Sequence, residues 1–416
     1  MSYSVDENMG STDTPDVNDI LQTPFKLAGH VLSHRVVLAP MTRMRASEAG
    51  IINSSAAEYY AERSSPTSLV ISEGTVIHPR GKGFPQTPGL WTEEQATAWK
   101  PVTDAVHAKG GVFFVQLWHV GRVSVPSQTG GFAPFSSTSA HLPGNHLLFG
   151  DDNATEPYVD SHAMTKPDID DVVDQFVLAA RHAIEIGGFD GVEIHGANGY
   201  LLDSFVHDNI NRRTDEYGGP TIENRLRFPL RVVDAVLEAI GREKTAIRLA
   251  PFHVLQETGD SNRHATFAAY ATELEKRGLA YVHMVEPRYD QLSTEGAFSA
   301  DIVRKGAGAR SPSGGAADRD NRTANDSPSL WPFRRILITT PVISAGGYDG
   351  DSARQAIIQG RIDLAAFGRH FTSNPDLPKR LFYRLPLTKY QRRTFYTPGH
   401  EGYLGWKQWD AEEAQK

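Results

Sequence analysis

The sequence predicts an α/β protein, a (β/α)8 TIM barrel in a single domain. Three observations support it. Eight short apolar runs recur along the 416 residues. Helical patterns separate them. Side chains able to hydrogen-bond gather just past the runs, at Thr42, Glu73, Trp118, His195, Arg248 and Arg369, where a barrel with its site at the carboxyl ends of the strands needs them. A doubly wound open sheet is the rival, but no Gly-x-Gly-x-x-Gly turn follows the first run.

The runs are RVVLAPM (35–41), SLVISEG (68–74), VFFVQLW (112–118), GVEIHG (191–196), TAIRLAP (245–251), YVHMVEP (281–287), PVISAGG (341–347) and LAAFGR (364–369). Each has the length of a strand buried on both faces, rich in Val, Ile and Leu rather than alternating. Between the third-run excursion and the fourth run, Val172, Val173, Phe176, Val177, Ala180 and Ile184 follow the helical period, which stops at Gly187-Gly188. Between the fourth and fifth runs, Ile222, Leu226, Leu230, Val233, Leu237 and Ile240 share one face. Thr221 is placed to cap that helix and Gly241 to end it. Pro229 inside it is expected to kink or split it. SARQAIIQGRID and YATELEKRGLA read as shorter helices.

Two connections are long. Residues 119–167 suggest a capping excursion over the mouth after strand three. Residues 288–335, rich in Gly, Ser and Asp, suggest a long polar loop after strand six. Residues 1–20 are acidic and polar and are expected to form a disordered tail, leaving 21–416 as the folded domain.

Hydrophobic residues at 39% and charged residues at 22% describe an ordinary globular composition. A net charge of -8 argues against nucleic acid or an anionic membrane surface as the partner. No cysteine is present, which excludes disulfides, thiolate zinc sites and a cysteine nucleophile. No apolar window approaches a membrane span, and no positive region precedes an apolar core at the N-terminus. A cytoplasmic protein is the expectation. Sixteen histidines are scattered without a metal-binding spacing, so no metal site is expected.

The chemistry concentrates in HGANGY. His195, Asn198 and Tyr200 follow a strand and are spaced by small residues. The first two can aim hydrogen-bond donors at one oxygen, and the phenol can supply a proton nearby. A polar loop around a satisfied buried histidine fits the same residues, and both readings stay open at this point. Arg248 at a strand end suits either an ion pair or an anionic ligand. Gln116 within FFVQLW needs a bonding partner for its buried amide, in a core network or on a planar heterocycle. Gly346, Gly347, Gly368 and Arg369 end the last two strands, where barrels hold phosphate, although ordinary strand-to-helix turns use glycine as well.

Together RVVLAPMTRMRA, ISEGTVIHPRGKGFPQTPGLWTEEQ, QLWHVGR, HGANGYLLDSFVHDNINRRTDEYGG, ENRLRF, HMVEP and AFGRHFTSNPDL, in this order from about Pro24 to Tyr403, resemble the Old Yellow Enzyme family of FMN-dependent ene-reductases. The resemblance implies an NAD(P)H:flavin oxidoreductase with a roofing hairpin after strand three. NADPH or NADH would reduce FMN, which would pass hydride to the β-carbon of an enone, enal or nitroalkene. It places Pro40, Met41, Thr42, Gly74, Gln116, Arg248, Gly346, Gly347, Gly368 and Arg369 on the flavin. Thr42 would bond the ring near N5 and Arg248 would lie beside N1 and O2. It implies that His195 and Asn198 hold the substrate oxygen, that Tyr200 protonates the α-carbon, and that Trp118, Phe84 and Tyr396 line the substrate pocket. A small-molecule substrate is the expected partner, with no nucleic acid and no membrane, in a monomer or homodimer. An FMN-dependent isomerase or secondary-metabolite pathway enzyme on the same scaffold, a flavin-free phosphate-binding barrel, and a non-catalytic flavin-binding or scaffold protein are the alternatives. Tyr200 favours net reduction, and no Schiff-base lysine sits at a strand end.

Overall fold

The computed structural model describes residues 19–148, 154–286 and 329–410. Residues 1–18 of the expected tail at 1–20, the tip of the excursion at 149–153 and residues 288–328 of the polar connection lie outside them. Asp19 and Ile20 are described, and Asp19 pairs with Arg354 and caps a short turn over Ile20–Gln22.

Eight parallel strands close a barrel in sequence order: β1 (Val36–Leu38), β2 (Leu69–Val76), β3 (Val112–Trp118), β4 (Gly191–His195), β5 (Thr245–Leu249), β6 (Val282–Val285), β7 (Val342–Ala345) and β8 (Leu364–Phe367). Each falls on its apolar run, and β2 continues two residues past it. The crossovers carry helices α1 (Ser55–Ala61), α2 (Glu93–Ala108), α3 (Lys166–Arg181), α4 (Ile222–Ile240), α5 (Arg263–Arg277), α6 (Trp331–Arg334) and α7 (Gly350–Ile358).

Strand parity explains where the core and the site lie, because alternate side chains face opposite ways. On β3, Phe113, Val115 and Leu117 face outward and pack with Val172, Phe176, Val192 and Ile194 in the barrel–helix layer. Val112 and Phe114 face inward and pack with Leu69, Ala246, Tyr281, Ile343 and Leu364. A two-stranded hairpin, Phe25–Leu27 with His30–Leu32, adds Leu27 and Leu32 to this inner cluster at the amino end. The next inward residue of β3 is Gln116. The inner face therefore changes from apolar to polar along the strands, and the polar layer lies toward their carboxyl ends. Gly191 on β4 is required by this packing, since a Cβ there would stand 2.3 Å from the Phe114 ring.

Two details differ from the sequence expectation. Helix α4 runs unbroken from Ile222 to Ile240 with Pro229 inside it. Its buried face of Leu226, Phe228, Val232, Val233 and Val236 outweighs one missing backbone bond. Thr221 sits at its start with extended backbone but makes no side-chain cap bond, whereas Gly241 ends it at φ 88°. At α3 the opposite holds: Thr165 and Asp168 form a reciprocal capping box, and a π-turn over His182–Ile186 precedes Gly187.

The excursion after β3 contains an antiparallel pair, Asn145–Leu147 with Thr155–Pro157. This is the roofing hairpin expected there.

Candidate active site

The turn after β4 begins at His195, whose ring is buried. Ala197 donates its backbone N–H to His195 Nδ1 at 3.3 Å. Asn198 (φ 62°) and Gly199 (φ 76°) are both left-handed, and they reverse the chain. Asparagine tolerates that conformation, while position 199 demands glycine: a Cβ would lie 2.6 Å from Gln256 Cβ. The Gly199 N–H donates to Asp203 Oδ2 at 2.8 Å. Tyr200 then stands at the start of a short helix, Leu201–Val206.

Two of the three sequence-predicted residues, His195 and Tyr200, meet directly, and Asn198 lies in the turn between them. The Tyr200 and His195 rings meet edge-on, with centroids 4.9 Å apart. Trp118, at the end of β3, meets Tyr200 edge-on at 5.1 Å and stacks on His195 at 6.3 Å. Phe84 stacks on Trp118 at 5.8 Å. The roofing hairpin supplies two residues that local sequence did not mark. His146 packs on Phe84 at 4.8 Å and donates from Nε2 to the Gly83 carbonyl at 2.5 Å. Its Nδ1 therefore accepts from the Tyr158 hydroxyl, 3.0 Å away. Tyr396 is 37% exposed on the carboxyl-terminal segment. Arg43 holds that segment through the Phe395 and Gly402 carbonyls, and Arg45 through those of Thr394, Gly399 and Glu401.

Electrostatics fix the protonation states. Burial pushes the His195 pKa down to about 3, and Arg248 pushes the same way against Glu193. The imidazole is therefore neutral, and with Nδ1 accepting, its proton sits on Nε2. Burial holds the Tyr200 phenol above its ordinary value; Tyr396 and Tyr158 add to this and Arg248 opposes it. Tyr200 therefore keeps its proton at neutral pH.

The polar layer lies beneath. Register places His195 beside Arg248, and Arg248 beside His283. Gln116 stands beside Gly74 on one side and Glu193 on the other. Its amide Nε2 donates to Glu193 Oε1 at 2.7 Å. Gly74 is closely covered: a Cβ would come 2.7 Å from Trp118. After β1, Pro40, Met41 and Thr42 are half-buried. The chain beyond them is tied by the Arg43 N–H to Glu73 Oε2 at 3.1 Å. Glu73 is buried in a bulge of β2, and burial raises its pKa to about 7.

On the far side of the mouth, β7 and β8 are neighbours. Gly346 (φ 138°) and Gly347 (φ 74°) follow β7. Gly368 follows β8, with its Cα-side space bounded by Met41 Sδ. Arg369 donates from Nη1 to the Tyr390 hydroxyl at 3.0 Å.

These residues fit FMN. Gln116 and Arg248 offer hydrogen-bonding and positive groups to a planar heterocycle. The glycines and Arg369 offer bare backbone and positive charge to a phosphate. Asn198 Oδ1 is buried without a hydrogen-bond partner among the described residues, an acceptor open to a ligand's donor. Among the described residues, no group of three or more His, Asp or Glu could hold a metal ion, and no helix is long and apolar enough to cross a membrane.

Comparison with known proteins agrees with this geometry. Residues 20–388 match the NADH:flavin oxidoreductase / NADH oxidase family. The chain is 43% identical over 378 residues to 12-oxophytodienoate reductase 2 of Arabidopsis thaliana, covering 91% of this chain and 92% of that protein. It superposes on the old yellow enzyme homologue of Zymomonas mobilis with a TM-score of 0.80 at 36% identity, covering 93% of this chain and 99% of the other. It superposes on morphinone reductase in complex with tetrahydroNAD with a TM-score of 0.80 at 35% identity, covering 94% and 98%. The fold and site define an FMN-dependent oxidoreductase that takes its electrons from a nicotinamide nucleotide. The chain belongs to the NADH:flavin oxidoreductase family, of Old Yellow Enzyme type.

Proposed function

We propose that the protein reduces the carbon–carbon double bond of α,β-unsaturated carbonyl compounds or nitroalkenes. The observation that carries this is the pairing of a neutral His195, its proton on Nε2, with a protonated Tyr200 edge-on at 4.9 Å. One residue can donate to an oxygen while the other delivers a proton to a nearby carbon.

Bound FMN, reduced by NAD(P)H, would supply the hydride. Gln116 and Arg248 would hold its ring, with Thr42, Met41, Pro40 and Gly74 along the edge. Gly346, Gly347, Gly368 and Arg369 would hold its phosphate. His195 Nε2–H and the Asn198 amide would donate to the substrate oxygen, drawing electrons from the β-carbon. The Tyr200 hydroxyl would protonate the α-carbon. Trp118, Phe84 and Tyr396 would shape the pocket, and the wall of His146 and Tyr158 would keep water from it. The presence of Tyr200 favours net reduction over isomerisation. The names of the relatives, 12-oxophytodienoate reductase and morphinone reductase, are those of reductases and agree with this reading.

The test is anaerobic consumption of NADPH by the yellow holoenzyme with 2-cyclohexenone. Stoichiometric cyclohexanone is expected. A holoenzyme that oxidises NADPH in air, yet forms no saturated ketone from enones or nitroalkenes without oxygen, would refute the reading.

A further inference from the structure

Glu193 lies on β4 two residues before His195, so both face the barrel interior. Its carboxylate is fully buried. Oε1 accepts from Gln116 Nε2 at 2.7 Å, and Oε2 accepts from His283 Nδ1 at 2.9 Å. Burial pushes its pKa up, but His283, Arg248 and Gln116 together bring it below the usual carboxylate value. It is therefore ionised, and a buried ionised carboxylate needs such partners.

Two consequences follow. A carboxylate only accepts, so it admits only the nitrogen end of the Gln116 amide. That leaves the Gln116 oxygen and its second N–H for another partner. The second consequence concerns charge. Among Glu193, Arg248, His195 and His283, Arg248 is the cation and Glu193 the anion, because His195 and His283 are both pushed toward the neutral form by burial and by Arg248.

We infer that Glu193 is a positioning residue for the flavin: it sets the Gln116 amide against the pyrimidine edge and offsets Arg248, keeping the potential of bound FMN low. This rests on the assignment of Gln116 and Arg248 to the flavin ring. Reduced FMN carries negative charge near that edge, so removing the Glu193 charge favours reduction.

The test measures the FMN midpoint potential and dissociation constant of the holoenzyme, Glu193→Gln and Glu193→Asp. Glutamine keeps the length and loses the charge. It is expected to favour reduced over oxidised FMN at least about tenfold, a positive shift of about 30 mV for a two-electron couple. Aspartate keeps the charge and loses one methylene of reach. It is expected to weaken FMN binding by about tenfold, the size of one lost charge-assisted hydrogen bond, while leaving the potential close to that of the parent. A merely structural role would not separate the two variants in this way. FMN bound to Glu193→Gln at unchanged potential would overturn the inference. If that variant retains no FMN, Glu193→Asp decides: weaker binding at unchanged potential upholds the inference, and unaltered binding overturns it. A parent protein that binds no FMN would instead refute the underlying assignment.

Discussion

The backbone N–H of Ala197 points at Nδ1 of His195 from 3.3 Å. A turn two residues long thus decides which imidazole nitrogen carries the proton, and presents Nε2–H as a neutral donor. With its pKa near 3, His195 does not titrate across the range in which the enzyme would work. The rate of flavin reoxidation by 2-cyclohexenone, followed by stopped flow, should show no ionisation of this group between pH 5 and pH 8. His195→Ala should slow that step by about 10²-fold, the usual cost of one donor to a developing oxyanion. A pH break in the parent that vanishes in the alanine variant would show a charged imidazole instead.

Gly199 bears on the same geometry. Its φ of 76° is unfavourable to any side chain, by about 1–2 kcal/mol, and a Cβ would press on Gln256. Gly199→Ala should move Asn198 and Tyr200 relative to His195. Misplacement on the scale of 1 Å costs about 10²-fold in rate. The oxidative half-reaction should therefore fall at least about tenfold while the visible spectrum of bound FMN stays that of the parent. Parent-like turnover would show that the turn tolerates displacement.

Glu73 gives a stability prediction with a definite sign. Its folded pKa is raised by burial from 4.5 to about 7. Between those values the folded protein holds a proton that the unfolded chain has released. The group therefore costs stability as pH rises from 4.5, and the cost levels off above 7. The full effect is on the order of 3 kcal/mol. Glu73→Gln does not titrate. Its apparent Tm minus that of the parent should become more positive from pH 5 to pH 8, by about 3 °C or more. A difference independent of pH would mean that Glu73 is ionised in the fold throughout.

The barrel was legible because each strand is a continuous apolar run, and because crossover helices carry a different period. His195, Asn198 and Tyr200 were legible for the same reason: they interrupt an apolar run at its carboxyl end. Glu193 stood in plain view two residues earlier in GVEIHG, a charged residue inside a buried strand, yet its partners Gln116 and His283 come from β3 and β6. Such a network depends on barrel register, which no local pattern reports. His146 and Tyr158 were hidden for a related reason. His146 reaches Phe84, and Tyr158 the apolar cluster around Trp118, only because the excursion folds back as a hairpin. Pro229 misled because local propensity yields to the packing of a long apolar helix face.

The proposed role of Tyr200 as proton donor to the substrate carbon is tested most directly by Tyr200→Phe. Phenylalanine keeps the edge-on contacts with His195 and Trp118 and removes only the hydroxyl. Stopped-flow measurement of the two half-reactions should show reduction by NADPH nearly intact. Reoxidation by 2-cyclohexenone should be slowed by about 10²–10⁴-fold, the range for loss of a general acid. Equal slowing of both half-reactions, or undiminished reoxidation by the enone, would contradict the assignment.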